Sequence, residues 1–485
     1  MKAFEKVTPE SVGISSTKLA EIIRQFDKLE FMNGLIMLRH GKQFFEGYWA
    51  PYAKENTHAL WSLSKSFTSV AIGIAQHEGL LKLTDTIASF FPEFDSAITD
   101  ERMRKVTLRD LLTMRSGHDN CAYNYMAREI DFGNPGGCGV FARGFLASPL
   151  KYEPGTHFVY NTAATYMLSA ALQRVAGVSL REYLMPRLFA PMGIVPGIWE
   201  ESPDGVCLGG IGLYLKTKDI AKFGQMILNH GVWNGVQLVP ADYVAEATSL
   251  QTETDVDNDF PKADNWKNGY GYQFWMSRFG FRADGACGQY AIVLPEYDMV
   301  IAINAAMANM GAIMENVLWK LLIPIIQPEP LPEDPVAHQA LLKLADELTL
   351  PTMPGDITKR GTNRVFEFEQ NYAGILSCSV EFGDDECALT FKTEHGIQQL
   401  RAGFGSHRIS CIRLQDAIAH PIAASAAWDD AGKLQIRALF MDSTFHDFFT
   451  IDLDDPVHPI TFHSTCILFR TLFPVLRVRH TANIR

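Results

Sequence analysis

A serine and a lysine stand three positions apart in the stretch WSLSKSFTSV, at residues 61 to 70. A serine hydroxyl is a weak nucleophile until a neighbouring base takes its proton, and a lysine can be that base only if its pKa is lowered. Burial lowers the pKa of a lysine because it penalises the charged form, and the positive end of a helix dipole acts in the same direction. Ser62 and Lys65 therefore predict an activated nucleophile.

The residues after this pair, in VAIGIAQHEG, are mostly apolar. They predict a buried helix from Ser62 to His77 that ends near Gly79. At 3.6 residues per turn, positions i and i+3 share one face, so the two side chains reach each other. From this stretch alone, the alternative remains open that Ser62 only caps the helix and Lys65 points to solvent.

The S-x-x-K spacing occurs three times, so the spacing alone does not identify a site. The three pairs are Ser15 with Lys18, Ser62 with Lys65, and Ser148 with Lys151. Ser15 precedes an amphipathic helix and is predicted to be its N-cap. Ser148 lies next to Pro149 in a stretch that leaves no room for a buried helix. Only Ser62 begins a long apolar segment.

A tyrosine stands at the entry to a second small-residue helix, in YEPGTHFVYNTAATYMLSAAL. Asn161 or Thr162 is the predicted N-cap of this helix. The hydroxyl of Tyr160 at such a site can relay a proton between serine, lysine and leaving group. The alternative is a core aromatic residue with a satisfied hydroxyl.

Composition narrows the class of protein. The chain has 485 residues, of which 47% are hydrophobic and 20% charged, as is ordinary for a soluble globular protein of several domains. The net charge of −12, without any block of Lys and Arg, argues against a nucleic-acid surface. We find neither a secretory signal nor a membrane span. A soluble enzyme with a small-molecule substrate is the expectation.

The eight cysteines are scattered and form no C-x-x-C pair, which disfavours a zinc site and a disulfide framework. Reduced thiols fit a cytoplasmic protein. The 14 histidines show no metal-ligand spacing, so no metal or other cofactor is predicted. The strings G-x-S-x-G and H-E-x-x-H are absent, which excludes the usual α/β-hydrolase and zincin signatures.

Two kinds of pattern divide the chain. Residues 1–323 alternate helical stretches such as TKLAEIIRQFDKL with apolar strands such as GLIMLR, which predicts an α/β (α+β) domain. Residues 324–350 are a proline-rich linker followed by a short helix at about 336 to 348. Residues 351–485 have strand composition in runs such as CALTFKT, which predicts an all-β barrel or sandwich.

Several ordered motifs carry a resemblance to a known superfamily. They are TPESVGIS, WSLSKSFTS, VTLRDLLTMRSGH, EPGTHFVYN, GGIGLYLKTKDIAKFGQMIL, GYGYQFW and GACGQYAIVLPEYDMVIAI. Over residues 7 to 320 the chain resembles the serine β-lactamase and penicillin-binding-protein superfamily, in its class C β-lactamase-like branch. That branch includes family VIII carboxylesterases, D-aminopeptidases and 6-aminohexanoate-dimer hydrolases.

The resemblance implies an antiparallel sheet flanked by helices, with Ser62 as nucleophile, Lys65 as base and Tyr160 as proton relay. It also implies an oxyanion hole made by the N–H of the nucleophile and an N–H from a strand that begins near GACGQY. Ala286 or Cys287, directly after Gly285, is the candidate second donor. Two aligned N–H groups of this kind contribute several kcal/mol to catalysis.

Two departures from the family pattern bear on the substrate. The Tyr-x-Asn motif reads Tyr160-Asn161-Thr162, which leaves open whether Asn161 or Thr162 holds the substrate amide. The Lys-Thr-Gly motif, whose lysine helps bind a substrate carboxylate in the family, appears as Ala283-Asp284-Gly285 or something shifted from it. Lys267-Asn268-Gly269 is closer in letters but is predicted to be a turn. Without that cation, and with Asp284 nearby, tight capture of a carboxylate-bearing β-lactam is disfavoured.

The leading hypothesis is a serine hydrolase that forms an acyl-enzyme on a small ester or amide. One alternative is a β-lactamase or a D-amino-acid peptidase. An alternative of another class is a catalytically weak binding or assembly protein that keeps the fold. Arg115 and His118 are weaker candidates for contacts beside the pocket. The C-terminal β-domain is predicted to limit substrate size or to form a homo-oligomer contact.

Overall fold

A six-stranded antiparallel sheet forms the centre of the first part of the chain, in the order β2-β1-β10-β9-β8-β7. The turn at Pro295 to Asp298 joins β9 to β10 as the sequence predicts, with Leu294 paired to Met299. This antiparallel sheet confirms the predicted fold class. Its strands are β1 Met32–Arg39, β2 Lys42–Tyr48, β7 Trp275–Ser277, β8 Gly280–Gly285, β9 Gln289–Leu294 and β10 Met299–Ala305.

The computed structural model describes residues 4–29, 31–121, 140–254, 264–369, 374–393, 396–413, 419–455, 457 and 459–464. The chain divides into two units. The first contains residues 1–48 and 59–348, and the second contains 49–58 together with 349 onward. Cys138 and Cys466, two of the eight cysteines, lie outside the described residues.

Helices cover the sheet of the first unit, and none of those described is long and apolar enough to cross a membrane. The α-helices are α1 Ser16–Asp27, α2 Ser64–His77, α3 Leu108–Leu112, α4 Val140–Leu146, α5 Thr162–Ala176, α6 Leu180–Leu184, α7 Ala190–Met192, α8 Thr217–Leu228, α9 Ala241–Ala247 and α10 Pro335–Asp346. Wider π turns occur at Met185–Phe189 and Ile313–Leu322. The short strands are β3 His58–Ala59, β4 Tyr214–Leu215, β5 Val232–Trp233 and β6 Val236–Gln237.

The start of the buried helix differs from the prediction. Residues Trp61–Leu63 form a 3-10 turn, and the α-helix begins only at Ser64. Trp61 has a φ of 49°, a left-handed conformation that turns the chain sharply just before the helix. Ser62 therefore lies in the turn that leads into α2 and not in the first turn of the α-helix itself.

The second unit is all-β, as the sequence predicts. Its nine-stranded sheet has the order β11-β12-β13-β14-β16-β17-β18-β19, with β15 paired to β16. Apolar side chains such as Phe391, Leu400 and Ile436 form its core. The strands are β11 Arg364–Glu367, β12 Ile375–Phe382, β13 Glu386–Thr393, β14 Gly396–Phe404, β15 Arg408–Ile412, β16 His420–Trp428, β17 Leu434–Phe440, β18 His446–Ile451 and β19 Ile460–Ser464.

The second unit also contains a segment from early in the chain, residues 49–58. The hydroxyl of Tyr52 donates a hydrogen bond to the carbonyl of Phe440 at 3.0 Å. The N–H of Leu350 donates to the carbonyl of Ala50 at 2.7 Å. Hydrogen bonds between residues 300 to 388 positions apart thus hold this segment to the β-unit.

Candidate active site

The turn that carries Ser62 is held from both sides within the first unit. The N–H of Leu60 donates to the carbonyl of Leu213 at 2.8 Å. Gly285, the last residue of β8, packs so closely that an added Cβ would lie 2.1 Å from the carbonyl oxygen of Leu60 and 3.1 Å from the backbone nitrogen of Leu63. Only glycine permits this approach of the strand to the turn.

Lys65 lies directly beside Ser62. Its Nζ is 3.0 Å from Ser62 Oγ, 3.1 Å from Thr162 Oγ1 and 2.8 Å from the carbonyl oxygen of Gly210. The lysine is only 1% exposed. Burial lowers its pKa from 10.5 to about 7, although the charge of Asp284 acts in the opposite direction. A large share of the amine is therefore neutral near pH 7 and can accept a proton from the serine.

The third predicted member, Tyr160, is hydrogen-bonded to Ser62. Its ring lies 4.9 Å from Lys65 Nζ and stacks on Trp275 at a centroid distance of 5.5 Å. Burial raises the pKa of the Tyr160 phenol well above its usual value. The phenol therefore stays protonated and can donate a hydrogen bond or a proton. The structure brings all three residues together.

The two residues that follow Tyr160, Asn161 and Thr162, make different contacts. Asn161 is fully buried and caps α5, because its Oδ1 accepts from the N–H groups of Ala163 at 3.0 Å and Ala164 at 3.4 Å. Of the two predicted caps, Asn161 is the one observed. Thr162 is the residue whose hydroxyl contacts Lys65. Asn161 stands one position before the asparagine of the family motif, and there it caps the helix. The hydroxyl of Thr162 contacts the lysine instead.

His118, a candidate contact beside the pocket, is buried with its ring between two serine side chains. It is 1% exposed, and its ring nitrogens lie 2.9 Å from Ser116 Oγ and 2.6 Å from Ser148 Oγ. Burial lowers its pKa to about 4, so the ring is neutral near pH 7. Ser116 also accepts from Asn161 Nδ2 at 3.4 Å, which connects this loop to the start of α5. Arg115 donates to Thr113 Oγ1 at 3.0 Å.

The other two S-x-x-K serines have the roles that the sequence assigns to them or allows. Ser15 is the N-cap of α1 and accepts from the N–H of Lys18. Ser148 is buried between His118 and the carbonyl of Phe145, just after α4. Neither begins a buried helix, so Ser62 is the serine that a buried lysine accompanies.

Ala286 and Cys287 lie in the turn between β8 and β9, because β9 begins only at Gln289. Cys287 has a φ of 63°, and its carbonyl accepts from the N–H of Met307 at 2.9 Å. Gln289 is fully buried and donates through Nε2 to the carbonyls of Ala305 at 2.5 Å and Ala286 at 3.4 Å. The buried side chain of Gln289 thus holds the turn in which the second oxyanion donor is predicted.

Sequence reasoning missed two of the groups around the site. The carbonyl of Gly210 contacts Lys65, and Gly210 has no room for a Cβ because Thr162 lies against it. Arg282, discussed below, pairs with Asp284. For Gly210, the signal available in the sequence was the pair of glycines in GGIGLY, because glycine is often found where two backbone segments approach closely. Among the described residues, no group of three or more His, Cys, Asp or Glu side chains could hold a metal ion.

Asp284 is not an exposed negative charge in the pocket. Its Oδ2 lies 2.8 Å from Arg282 Nε and 3.0 Å from Trp266 Nε1. The side chains of Arg282 and Asp284 are 0% and 4% exposed. Burial raises the pKa of Asp284, whereas the charge of Arg282 opposes this rise. The site therefore contains a buried ion pair where the resemblance would place a lysine for a substrate carboxylate.

Comparison with known proteins identifies a family and several relatives of the chain. Residues 21–312 match the Beta-lactamase family. The chain is 23% identical over 312 residues to the 6-aminohexanoate-dimer hydrolase of Paenarthrobacter ureafaciens, covering 59% of this chain and 75% of that protein. It is 26% identical over 162 residues to the lovastatin esterase of Penicillium rubens, covering 30% of this chain and 40% of the esterase.

The same fold occurs among solved structures. A protein from Bacillus anthracis assigned as a 6-aminohexanoate-dimer hydrolase superposes with a TM-score of 0.54 at 21% sequence identity. The superposition covers 69% of this chain and 89% of the other. At this level of identity the similarity establishes the fold of the chain.

Proposed function

Because the chain belongs to the Beta-lactamase family, we propose that it is a serine hydrolase that forms an acyl-enzyme on a small ester or amide. Its relatives include an aminohexanoate-dimer hydrolase and an esterase. The observation that carries the proposal is the 3.0 Å separation between Ser62 Oγ and the buried Nζ of Lys65.

The proposed chemistry uses the three residues in turn. The neutral amine of Lys65 takes the proton of Ser62 as its Oγ attacks the substrate carbonyl, so an O–C bond forms and the amine becomes an ammonium ion. Tyr160 then passes a proton to the leaving group as the scissile bond breaks, and Lys65 replaces that proton. Water hydrolyses the resulting ester on Ser62 by the same steps in reverse order.

The developing negative charge on the carbonyl oxygen needs donors. We propose the N–H of Ser62 and an N–H from the turn of Gly285, Ala286 and Cys287. The tight packing of Gly285 against Leu60 supports this assignment, because it brings that turn next to the nucleophile. Such donors act strongly in a site that excludes water.

The charged groups near Ser62 favour an esterase or amidase over a β-lactamase or a D-amino-acid peptidase. Arg282 is fully buried and donates hydrogen bonds to Asp284, to Ser277 and to the carbonyls of Met276 and Asn265. Its guanidinium is therefore occupied by protein groups and does not serve as a binding group for a substrate carboxylate. A β-lactamase or D-amino-acid peptidase would need a cation for the substrate carboxylate. A catalytically weak binding protein would have no need for a buried lysine beside a serine, which is costly to maintain.

The test is the intact mass of the protein after exposure to a fluorophosphonate probe, for the wild type and for Ser62→Ala. We expect one adduct on the wild type and none on the variant. A folded wild type that takes up no probe would contradict the proposal and favour the binding-protein alternative. Wild-type protein that has not been exposed to the probe is then assayed on chromogenic esters, anilides and a cephalosporin. The homo-oligomer predicted for the second unit remains a prediction, which the molar mass in solution tests.

A further inference from the structure

The buried ion pair of Arg282 and Asp284 is held by further hydrogen bonds. Besides Asp284, Arg282 donates to the carbonyl of Met276 at 3.1 Å, to Ser277 Oγ at 2.7 Å and to the carbonyl of Asn265 at 3.1 Å. The guanidinium is thereby fixed on β8 and its neighbour β7. Burying two charges costs several kcal/mol per ion, which excellent geometry must offset.

The pair lies close to the nucleophile. Asp284 directly precedes Gly285, whose Cα is in contact with the turn at Leu60 to Leu63. The charge of Asp284 acts on Lys65 and on the phenol of Tyr160, raising the pKa of both. It also raises the pKa of Tyr290, where Arg282 acts in the opposite direction.

We propose that Arg282 is a positioning residue for this reaction, which neutralises Asp284 so that the buried amine of Lys65 can release its proton and act as the base. The inference rests on the proposed function, because it concerns how the base of that reaction is prepared. An isolated carboxylate at this depth would hold a proton on the lysine through charge attraction. The guanidinium removes most of that attraction while it stays out of reach of the substrate.

The groups that contact Lys65 directly are uncharged. Its own helix has no acidic residue in the first turn. It contacts the hydroxyl of Thr162 at the start of α5, the ring of Tyr160 just before that helix, and the carbonyl of Gly210 in the loop before β4. Two side chains, Cys121 and then Asp284, favour the charged lysine through their charge. Of these two, Asp284 is the one for which the structure shows a buried counter-charge, Arg282 on the same strand.

The experiment measures the rate of fluorophosphonate labelling of Ser62 against pH in the full-length protein. Four proteins are compared: wild type, Asp284→Asn, Arg282→Met and the double variant Arg282→Met with Asp284→Asn. The measured quantity is the pH at which the labelling rate is half of its maximum, the labelling midpoint. We expect this midpoint to fall by roughly half to one pH unit in Asp284→Asn and to rise by a similar amount in Arg282→Met. The double variant, which carries neither charge, should return close to the wild-type midpoint.

A matched control distinguishes charge balance from general damage. Asp219 and Lys222 form a mostly buried ion pair on α8, 2.8 Å apart, with side-chain exposures of 7% and 14%. Asp219→Asn should leave the midpoint unchanged. If Asp284→Asn, which is nearly isosteric, is labelled with the wild-type midpoint, the inference is wrong and the pair is structural.

Failure of this inference can be told apart from failure of the proposed function. Absence of any label on wild-type Ser62 contradicts the function itself. Labelling with midpoints that do not follow the charge of residues 282 and 284 contradicts only the role of Arg282. The thermal unfolding midpoint of each variant verifies that it is folded, and Asp284→Asn decides the question if Arg282→Met does not fold.

Discussion

Lys65 Nζ lies 3.1 Å from Thr162 Oγ1, one residue beyond the asparagine that caps α5. A hydroxyl can donate to a neutral amine and accept from an ammonium ion, so it serves both protonation states of the base. The contact also fixes the direction of the lysine side chain toward Ser62. A hydroxyl therefore lies next to Lys65, whereas the displaced asparagine caps the helix.

Removal of this hydroxyl should impair acylation. Thr162→Val keeps the shape of the side chain but leaves the lysine short of one hydrogen bond, so we expect kcat/KM to fall about 10- to 100-fold. Steady-state kinetics on the best chromogenic ester provide the measurement. Thr162→Ser, which keeps the hydroxyl, is the control and should retain most of the activity. Equal activity in all three proteins would show that the contact has no catalytic effect.

Replacement of the preceding residue should act on stability instead. Asn161→Ala removes the acceptor for the N–H groups of Ala163 and Ala164, and N-cap losses cost about 1 kcal/mol. Urea unfolding of the two proteins tests this. Asn161→Asp keeps the cap acceptor and should lose less of the free energy of unfolding. A stable Asn161→Ala with low activity would instead indicate contact with substrate.

The sequence predicted that Ser62 and Lys65 lie side by side because local features determine this contact. The pairing of Ser62 with Lys65 depends on a three-residue spacing and an apolar continuation. Tyr160 precedes a recognisable helix start. The antiparallel pairing of β9 and β10 follows from two apolar runs around a turn. The placement of Tyr160 beside Ser62 came from the resemblance over residues 7 to 320, because the sequence around Tyr160 alone left a core aromatic residue open.

The sequence patterns did not predict features that depend on contacts between distant parts of the chain or on an unusual backbone conformation. Asp284 looked like a repulsive charge, because nothing in a single sequence shows that Arg282, two residues earlier on the same strand, is buried with it. The membership of residues 49–58 in the β-unit depends on contacts with distant residues, such as that of Tyr52 with Phe440, 388 positions away. The start of α2 at Ser64 depends on the left-handed Trp61, which is an unusual conformation for that residue type.

Acylation should depend on pH through the base. Because burial lowers the pKa of Lys65 to about 7, the neutral amine increases as pH rises through 7, and the rate should rise with it to a plateau. Tyr160, whose pKa is raised, stays protonated over this range. The pH dependence of kcat/KM measures this. Lys65→Arg should be inactive at every pH tested, because arginine is not deprotonated in proteins. A midpoint near 10 would contradict the low pKa.

Gly285→Ala should disrupt the geometry of the nucleophile. The new methyl would lie 2.1 Å from the carbonyl oxygen of Leu60, so the turn or the strand must move. A displacement of about 1 Å can cost on the order of 100-fold in rate, and we expect a loss of that size in kcat/KM. Gly383→Ala is the control, because the nearest atom to its added Cβ is 3.5 Å away. Unchanged labelling of Ser62 in Gly285→Ala would show that the close packing is dispensable.

Lys65→Met should abolish activity and stabilise the protein at low pH. The folded-state pKa of Lys65 is about 7 and its ordinary value is 10.5, so between these pH values the unfolded chain binds more protons than the folded one. The cost of burying the lysine is therefore full below pH 7 and disappears as pH approaches 10.5. Methionine avoids this cost but forfeits the contact with the carbonyl of Gly210.

The expected gain from Lys65→Met is on the order of 1 to 3 kcal/mol in the free energy of unfolding at pH 6, decreasing steadily toward pH 10. Urea titrations of the wild type and the variant at pH 6, 8 and 10 provide the comparison. The decrease with pH is the decisive quantity, because packing differences between lysine and methionine are the same at all three values. A difference independent of pH would mean that the lysine is not held at a lowered pKa.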